Sequence, residues 1–415
     1  MLNIGVLGGG ASGMVAALEA ARVGAKVTII EGQDRVGKKL LVTGNGRCNY
    51  VNQWIDLCHY ETNNQEWLEV CLQDFGVEET VNYFRWLGIE PYFDDTGRGF
   101  PYSLQASSMV EVIREAYLNL GVIEQCGENV QTIKKTKSGY QVATNVHKYQ
   151  FDKIIVALGG QSFQHLGSNG SGFSLLSSLN YEMTPIYPAL VKLKSDFPHL
   201  KALQGLKVEG HVYLFLNGEK SGEDDGEILF ANYGVSGPPI LQISGYAAQA
   251  LSWGHRVEIV IDLFPHLSQH QLYELLETRF DTLHYKGLKD TFVGLIHKRL
   301  IIPVLKEAMI YEYDIKPTKL SRKQVYDIVN RLKSLTLTIT DFHSWKESQV
   351  TAGGIALFQI CPKTLESLRD PGLFIAGEIL DVHGACGGYN LHFAWCTGIK
   401  AGREAAKYNK ENFQV

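Results

Sequence analysis

The stretch LNIGVLGGGASGMVAALEAARVGAKVTIIE, residues 2–31, constrains the fold more than any other part of the chain. An apolar run stops at Gly8, a helical apolar period carries Ser12 to Arg22, and AKVTIIE (25–31) is apolar again. Short apolar runs without alternation belong to parallel strands buried on both faces. Gly8, Gly10 and Gly13 stand between strand and helix in the spacing G-x-G-x-x-G. The first permits the tight turn, the second lets backbone approach a pyrophosphate, and the third lets helix and strand pack closely. The helix N-terminus then faces the anion, with Ala11 and Ser12 at its start. Glu31 ends the second strand about 20 residues later, where a carboxylate bonds adenosine ribose hydroxyls and repels a 2′-phosphate. Gly32 follows it. This order predicts a dinucleotide-binding βαβ unit, and NAD and FAD fit it equally.

GKKLLVTGNGRCN (37–49) helps to decide between them. Lys38, Lys39 and Arg47 surround Gly44 and Gly46, with Leu40, Thr43, Asn45, Cys48 and Asn49 in the same loop. Successive backbone N–H groups and fixed cations suit a phosphate or an electron-rich ring edge. Cys48 has no thiol near it in sequence and reads as a packing residue or a flavin neighbour. FDKIIVALGG (151–160) is a further buried strand, whose end supplies Ala157, Gly159 and Gly160 as candidate contacts. Val130, ahead of the hairpin GYQVATNVHKYQ (139–150), is another.

Far down the chain the same device returns. PGLFIAGEILDVHGACGGYNLHFAW (371–395) begins as a strand and reaches Gly377 and Glu378. It then passes Asp381 and turns through Gly384, Gly387 and Gly388 into a helix near Tyr389 and Asn390. FAD is longer than one helix N-terminus can hold. A second segment returning to the same sheet can take the ribityl chain through Glu378 and aim backbone N–H groups at the flavin pyrimidine edge. The helix dipole there favours the negative charge of the reduced ring.

The middle differs in character. KVEGHVYLFLNG (207–218) and HRVEIVIDLF (255–264) alternate apolar and polar, as half-buried antiparallel strands do. Residues 268–280, 288–309 and 321–335 read as helices, and LTLTITDF (335–342) returns to strand. The expected organisation is an FAD-binding domain of 1–186 and 347–415 and an inserted β domain of 187–265 and 335–346. A helical subdomain of 266–334 is nested in the insertion.

A net charge of −5 gives no overall attraction for nucleic acid. The seven cysteines form no CxxC pair and no zinc spacing, and the histidines form no HExxH, so neither a metal nor a dithiol is expected. No run approaches membrane-spanning length and no signal peptide precedes the first strand, so a soluble cytoplasmic protein is expected.

GGGASG, GKKLLVTGNGRCN, GRGFPYS (97–103), GEILFANYGVSGPPIL (226–241), VTAGGI (350–355) and AGEILDVHGACGGYNLHFAW together resemble the YhiN-like family of bacterial FAD flavoproteins. The resemblance covers nearly the whole chain. It implies an α/β, glutathione-reductase-like FAD domain with a β-barrel-like insertion and a helical subdomain. The family includes proteins named aminoacetone oxidase and bile-acid ene reductase, and some members resemble rRNA dihydrouridine synthases. His383 stands where the family has Asp, so no acid role is carried over to it. No second GxGxxG lies between 160 and 370, so NAD(P)H is expected to dock transiently. The leading expectation is hydride transfer from flavin N5 to an activated C=C bond of a small molecule. The alternatives are an amine oxidase using O₂, or a uridine reductase docking RNA through HKR (297–299), KPTK (316–319) and SRK (321–323). Tyr389 and His383 are the candidate proton donors; His392, just inside the helix, reads as structural.

Overall fold

A computed structural model describes residues 1–407. The chain separates into two compact units: Met1–Tyr187 with the chain from Gln349 onward, and Pro188–Ser348. In the first, five strands lie side by side in the order Leu373–Ile375, Lys153–Val156, Asn3–Leu7, Lys26–Glu31 and Ile123–Cys126. Every neighbouring pair is parallel. The apolar runs go in because both faces are covered: Ile4, Val6, Ile29, Ile155 and Phe374 are all buried. Helix Ala11–Arg22 meets the C-terminal helix Tyr389–Ala406 at backbone contact. A Cβ at Gly398 or Gly402 would collide with the carbonyl oxygen of Ser12 or Ala16. Arg403 Nε adds an ion pair to buried Glu19 at 2.6 Å. The front and back of the chain therefore form one layer, and the turns at Gly8 and Gly377 both follow carboxyl ends of strands in one sheet, where α/β sheets bind ligands. This is the Rossmann-type α/β arrangement expected.

The second unit is built on a closed six-stranded barrel. Its strands run in the order Leu193–Ser195, Gly234–Ser236, Glu219–Ala231, Lys207–Leu216, Val257–Asp262 and Leu335–Phe342, antiparallel throughout. Val212, Leu214, Ile259, Ile261, Leu337 and Ile339 turn inward with period two. Helix Pro238–Ser252 adds Ile240, Ile243 and Ala247 to that core. Between Val257–Asp262 and Leu335–Phe342 run helices Gln269–Thr282, Leu288–Thr291, Lys298–Glu307 and Arg322–Lys333, with a core of their own.

One helix expected across 288–309 is broken. The chain leaves helix after Thr291, Gly294 takes φ 86°, and His297 restarts it by accepting from Arg299 N at 3.2 Å. The apolar period continued across the break because Leu288, Phe292, Ile301 and Val304 face the same core from two segments. Among the described residues, no helix is long and apolar enough to cross a membrane.

Candidate functional site

The glycines of the first turn divide into two kinds. A Cβ on Gly8 (φ 104°) would strike the Ala157 carbonyl, and one on Gly13 would strike the Gly8 carbonyl. These two are needed by the packing itself. A Cβ on Gly10, the N-cap of the first helix, would meet nothing within 4 Å. Gly10 thus faces open space at a helix N-terminus, while Ala11 packs partly against the core and Ser12 is buried against Gly377. Glu31 accepts from Gly9 N and Gln33 N, each at 2.7 Å, which fixes its carboxylate beside the turn. Glu128 N donates to the Glu31 carbonyl at 2.9 Å, and a Cβ on Gly32 would lie 2.5 Å from Asn129 Oδ1. Val130 follows, opening the strand Val130–Thr136.

In the basic loop Gly44, Asn45, Gly46 and Cys48 all have left-handed φ, between 56° and 81°. Leu40 is buried and its carbonyl accepts from Thr43 Oγ1 at 2.7 Å. Lys38 turns to Asp34 at 2.6 Å, and exposed Arg47 lies 4.8 Å over the Phe100 ring. Burial pushes the Cys48 thiol up to about 12, against a hydrogen bond with Thr43, so it is an inert packing group. Asn49 Oδ1 is buried without a hydrogen-bond partner and lies 2.7 Å from where a Cβ on Gly388 would stand.

Lys39 crosses to the far end of the chain. Its Nζ lies 2.6 Å from Glu378 Oε2 and 2.7 Å from Ser162 Oγ. Glu378 Oε1 accepts from Ser162 Oγ at 2.7 Å and from Thr351 N at 2.9 Å. Burial opposes ionisation of Glu378, but the Lys39 charge and these hydrogen bonds hold its carboxyl below the ordinary value. Gly159 (φ 70°) and Gly160 lie against this cluster, with no room for a side chain between Gly160 and Thr351. Beside Gly159 is Ser168, whose hydroxyl is buried without a partner.

The second glycine turn starts where His383–Gly384 pairs with Tyr60–Glu61. Gly387 (φ 134°) accepts from Asn52 Nδ2 at 2.8 Å, and Gly388 (φ 106°) caps the last helix. The first helical bond is His392 N to the Gly388 carbonyl at 3.0 Å, so the N–H groups of Tyr389, Asn390 and Leu391 have no acceptor within the helix. Buried Asp381 accepts from Asn63 Nδ2 at 3.0 Å, and burial raises its pKa.

The Tyr389 ring stacks on His59 at 4.5 Å, and burial pushes its phenol up to about 12. Burial pushes His383 down to about 4, which leaves it without an imidazolium proton at neutral pH. His392, fully buried, bonds Tyr60 OH through Nδ1 and the Phe75 carbonyl through Nε2, each at 2.7 Å. Nε2 must donate to that carbonyl, and burial holds the ring's pKa near 4, so at neutral pH the ring is uncharged and Nδ1 accepts from Tyr60. It is structural, as the sequence reading had it.

Residues 2–404 match the family described as HI0933-like protein Rossmann domain. The chain belongs to that family. A 3-dehydro-bile acid delta(4,6)-reductase of Clostridium scindens is 36% identical, with 98% of this chain and 100% of that one covered. A ribosomal RNA dihydrouridine synthase of Haemophilus influenzae is 27% identical over 94% of this chain and 95% of its own. Among solved structures, 3-ketosteroid delta1-dehydrogenase from Sterolibacterium denitrificans has a TM-score of 0.51 at 12% identity, covering 98% of this chain and 100% of that one. That likeness shows a shared fold. This HI0933-like protein is an FAD-dependent oxidoreductase.

Several side chains of these loops are held by the protein itself. Asn390 accepts from Gly384 N at 2.8 Å and donates to the Gly384 carbonyl at 2.7 Å, so its amide holds the turn and its backbone N–H is left without an acceptor in the helix. Lys38 is engaged by Asp34 and Gln33, and Lys39 by Glu378 and Ser162. Sequence reasoning missed Ser162, Ser168, Thr351 and Asn52. Thr351 lies in VTAGGI and Ser162 just past Gly159-Gly160, but nothing in either stretch shows that both reach Glu378.

Proposed function

We propose that this HI0933-like protein reduces an activated C=C bond of a small polycyclic enone, with FAD as the hydride carrier and NAD(P)H as its transient reductant. The observation that carries this reading is the end-to-end match, 36% identical, to a bile-acid reductase. The residues present fit FAD in four places. Glu31, Gly32 and Val130 would hold the adenosine end, and the open helix terminus at Gly10–Ala11 the pyrophosphate. Lys39, Ser162, Ser168 and Glu378 would surround the ribityl chain. Asn49 and the N–H groups after Gly388 would meet the pyrimidine edge. Two of these groups, Asn49 Oδ1 and Ser168 Oγ, are buried polar atoms without protein partners, which favours a ligand there. When bound, the flavin supplies hydride at N5.

The chain's own part is to orient the enone and deliver a proton to the carbon beside the one reduced. Tyr389 suits that task, since its phenol keeps its proton at neutral pH. His383, the other candidate, would have to act from its neutral form. The test is anaerobic reduction by NADH or NADPH, followed by mixing with a 3-oxo-Δ4 steroid, with O₂, or with an unmodified rRNA transcript. Reoxidation fastest with the enone supports the proposal. Fastest reoxidation by O₂ would select the amine-oxidase class, and uridine reduction in the transcript would select the RNA reading.

A further inference from the structure

Glu128 is a buried carboxylate that no step of the proposed reaction uses. It stands between the strands Ile123–Cys126 and Val130–Thr136. Thr144 Oγ1 donates to its Oε2 at 2.7 Å and His147 Nδ1 to its Oε1 at 2.8 Å, while Tyr149 OH reaches both oxygens at 3.0 Å. All these donors belong to one hairpin, formed by Gly139–Thr144 and Lys148–Phe151. Burial opposes ionisation of Glu128, but the hydrogen bonds from Thr144, His147 and Tyr149 hold its carboxyl below the ordinary value. A carboxylate only accepts, so His147 Nδ1 carries the hydrogen.

The hairpin is fixed in turn to the main sheet. The Tyr149 ring stacks on Phe151 at 5.8 Å, and a Cβ on Gly5 would come within 2.5 Å of the Phe151 ring. The backbone around Glu128 is tied to the end of the second strand. Gly127 N donates to the Gln33 carbonyl at 2.7 Å, and Glu128 N to the Glu31 carbonyl at 2.9 Å. Asn129 N donates to Asn145 Oδ1 at 2.7 Å, and Asn145 N returns a bond to the Asn129 carbonyl at 3.1 Å. Glu128 therefore joins the hairpin, the Glu31–Gly32 corner and the start of the strand at Val130. Burying a charge adds little net stability, whereas several directional donors on one carboxylate impose a single geometry.

We propose that Glu128 is a positioning residue for the adenosine half of the cofactor, fixing the spacing between Glu31–Gly32 and Val130, the segments that would hold the adenosine. The assignment rests on the FAD reading above. The Glu128 carboxylate is taken up by the hairpin, so it acts through those segments and not by touching the ligand. Lys39, Glu378 and the Gly388 turn would hold the rest of the cofactor, so loss of Glu128 should disturb one half only.

The test titrates the apoprotein with ADP by calorimetry and measures the reduction potential of protein saturated with FAD. Glu128→Ala should weaken ADP binding about tenfold, the equivalent of one hydrogen bond to a charged group, and leave the potential unchanged. Glu128→Gln keeps the volume and part of the bonding, and should recover much of the ADP affinity. A residue that serves stability alone would lower the urea midpoint and leave the folded variant's ADP affinity at the wild-type value. That result overturns the assignment, as does a shifted flavin potential. Wild-type protein that binds no ADP overturns the FAD reading and this assignment with it, so the two failures are told apart. If Glu128→Ala does not fold, Tyr149→Phe decides the matter. It keeps the ring on Phe151 and removes one donor, and should weaken ADP binding about threefold. Wild-type affinity in that variant likewise overturns the assignment.

Discussion

Lys39 and Glu378 lie 339 residues apart in sequence and form a partly buried ion pair of 2.6 Å. The lysine belongs to the loop after the first βαβ unit, and the glutamate to the strand end before the second glycine turn. Their contact, completed by Ser162 and the Thr351 N–H, joins the two ends of the chain at the floor of the proposed cofactor site.

Removing one member should therefore cost more than removing both. Lys39→Met leaves a carboxylate short of its cation, and a stability loss of about 1–3 kcal/mol is expected. The double variant with Glu378→Gln should recover part of it. The pH dependence has a definite sign. The folded pKa of Glu378 is depressed, so the pair's contribution is present above the ordinary carboxylate value and disappears as pH falls through the folded one. Urea midpoints between pH 7 and pH 3 check this. Equal losses in the single and double variants would refute the coupling.

Gly10 and Gly13 are both letters of one motif, yet their substitutions should fail differently. A Cβ at Gly13 collides with the Gly8 carbonyl, so Gly13→Ala should destabilise the apoprotein itself. Gly10→Ala has free space and a φ of −79°, so the apoprotein should unfold at the wild-type urea concentration. It should nevertheless retain less FAD, because the new methyl stands where the pyrophosphate must come. Dialysed protein and flavin absorbance separate the two outcomes, and full retention in Gly10→Ala would place the phosphates elsewhere.

This pair also shows what was legible in the chain. Steric needs leave residue-type signatures: only glycine fits at Gly8, Gly13, Gly398 and Gly402, and the βαβ unit could be read from the first two. The antiparallel strands of the insertion could be read from the period-two alternation of Lys207–Leu216 and Val257–Asp262, while their barrel form was implied only by the family resemblance. Contacts made by tertiary approach leave no such signature. Thr351 N donating to Glu378 uses a backbone group any residue has, and Ser162 is an ordinary serine in a loop. The break at Gly294 was hidden because two short helices share one apolar face.

His392 sets a second pH dependence of opposite chemical origin. It is fully buried and neutral, with its pKa held near 4 against an ordinary 6.5. The unfolded chain takes up the proton first as pH falls, so stability declines between about 6.5 and 4, by roughly 1.4 kcal/mol per pH unit for this group. Below that window the decline stops. His392→Gln should flatten the slope in this range and lower stability at pH 7.5 by about 1–3 kcal/mol, since Tyr60 and the Phe75 carbonyl lose well-placed partners. A slope unchanged in the variant would mean that another group titrates there.

Asn49 gives the sharpest test of the cofactor reading, because its effects on fold and on binding should have opposite signs. Its Oδ1 is buried without a partner beside Gly388, which costs the free protein stability. Asn49→Leu fills a similar volume and removes the unsatisfied atom, so the apoprotein should be unchanged or more stable, by up to about 1–3 kcal/mol. If the amide meets the flavin pyrimidine edge, the same substitution removes a hydrogen bond worth about 0.5–1.5 kcal/mol and weakens FAD binding by roughly twofold to tenfold. The reduced ring carries more negative charge on that edge, and an amide oxygen beside it, which can only accept, disfavours that charge. Its loss should then raise the reduction potential by on the order of 20 mV for each kcal/mol of repulsion removed. Fluorescence titration of apoprotein with FAD and spectroelectrochemistry of the reconstituted variant measure the two quantities. A variant that binds FAD as tightly as wild type at an unchanged potential would show that Asn49 faces some other group, and the flavin edge would have to be sought away from the Gly388 turn.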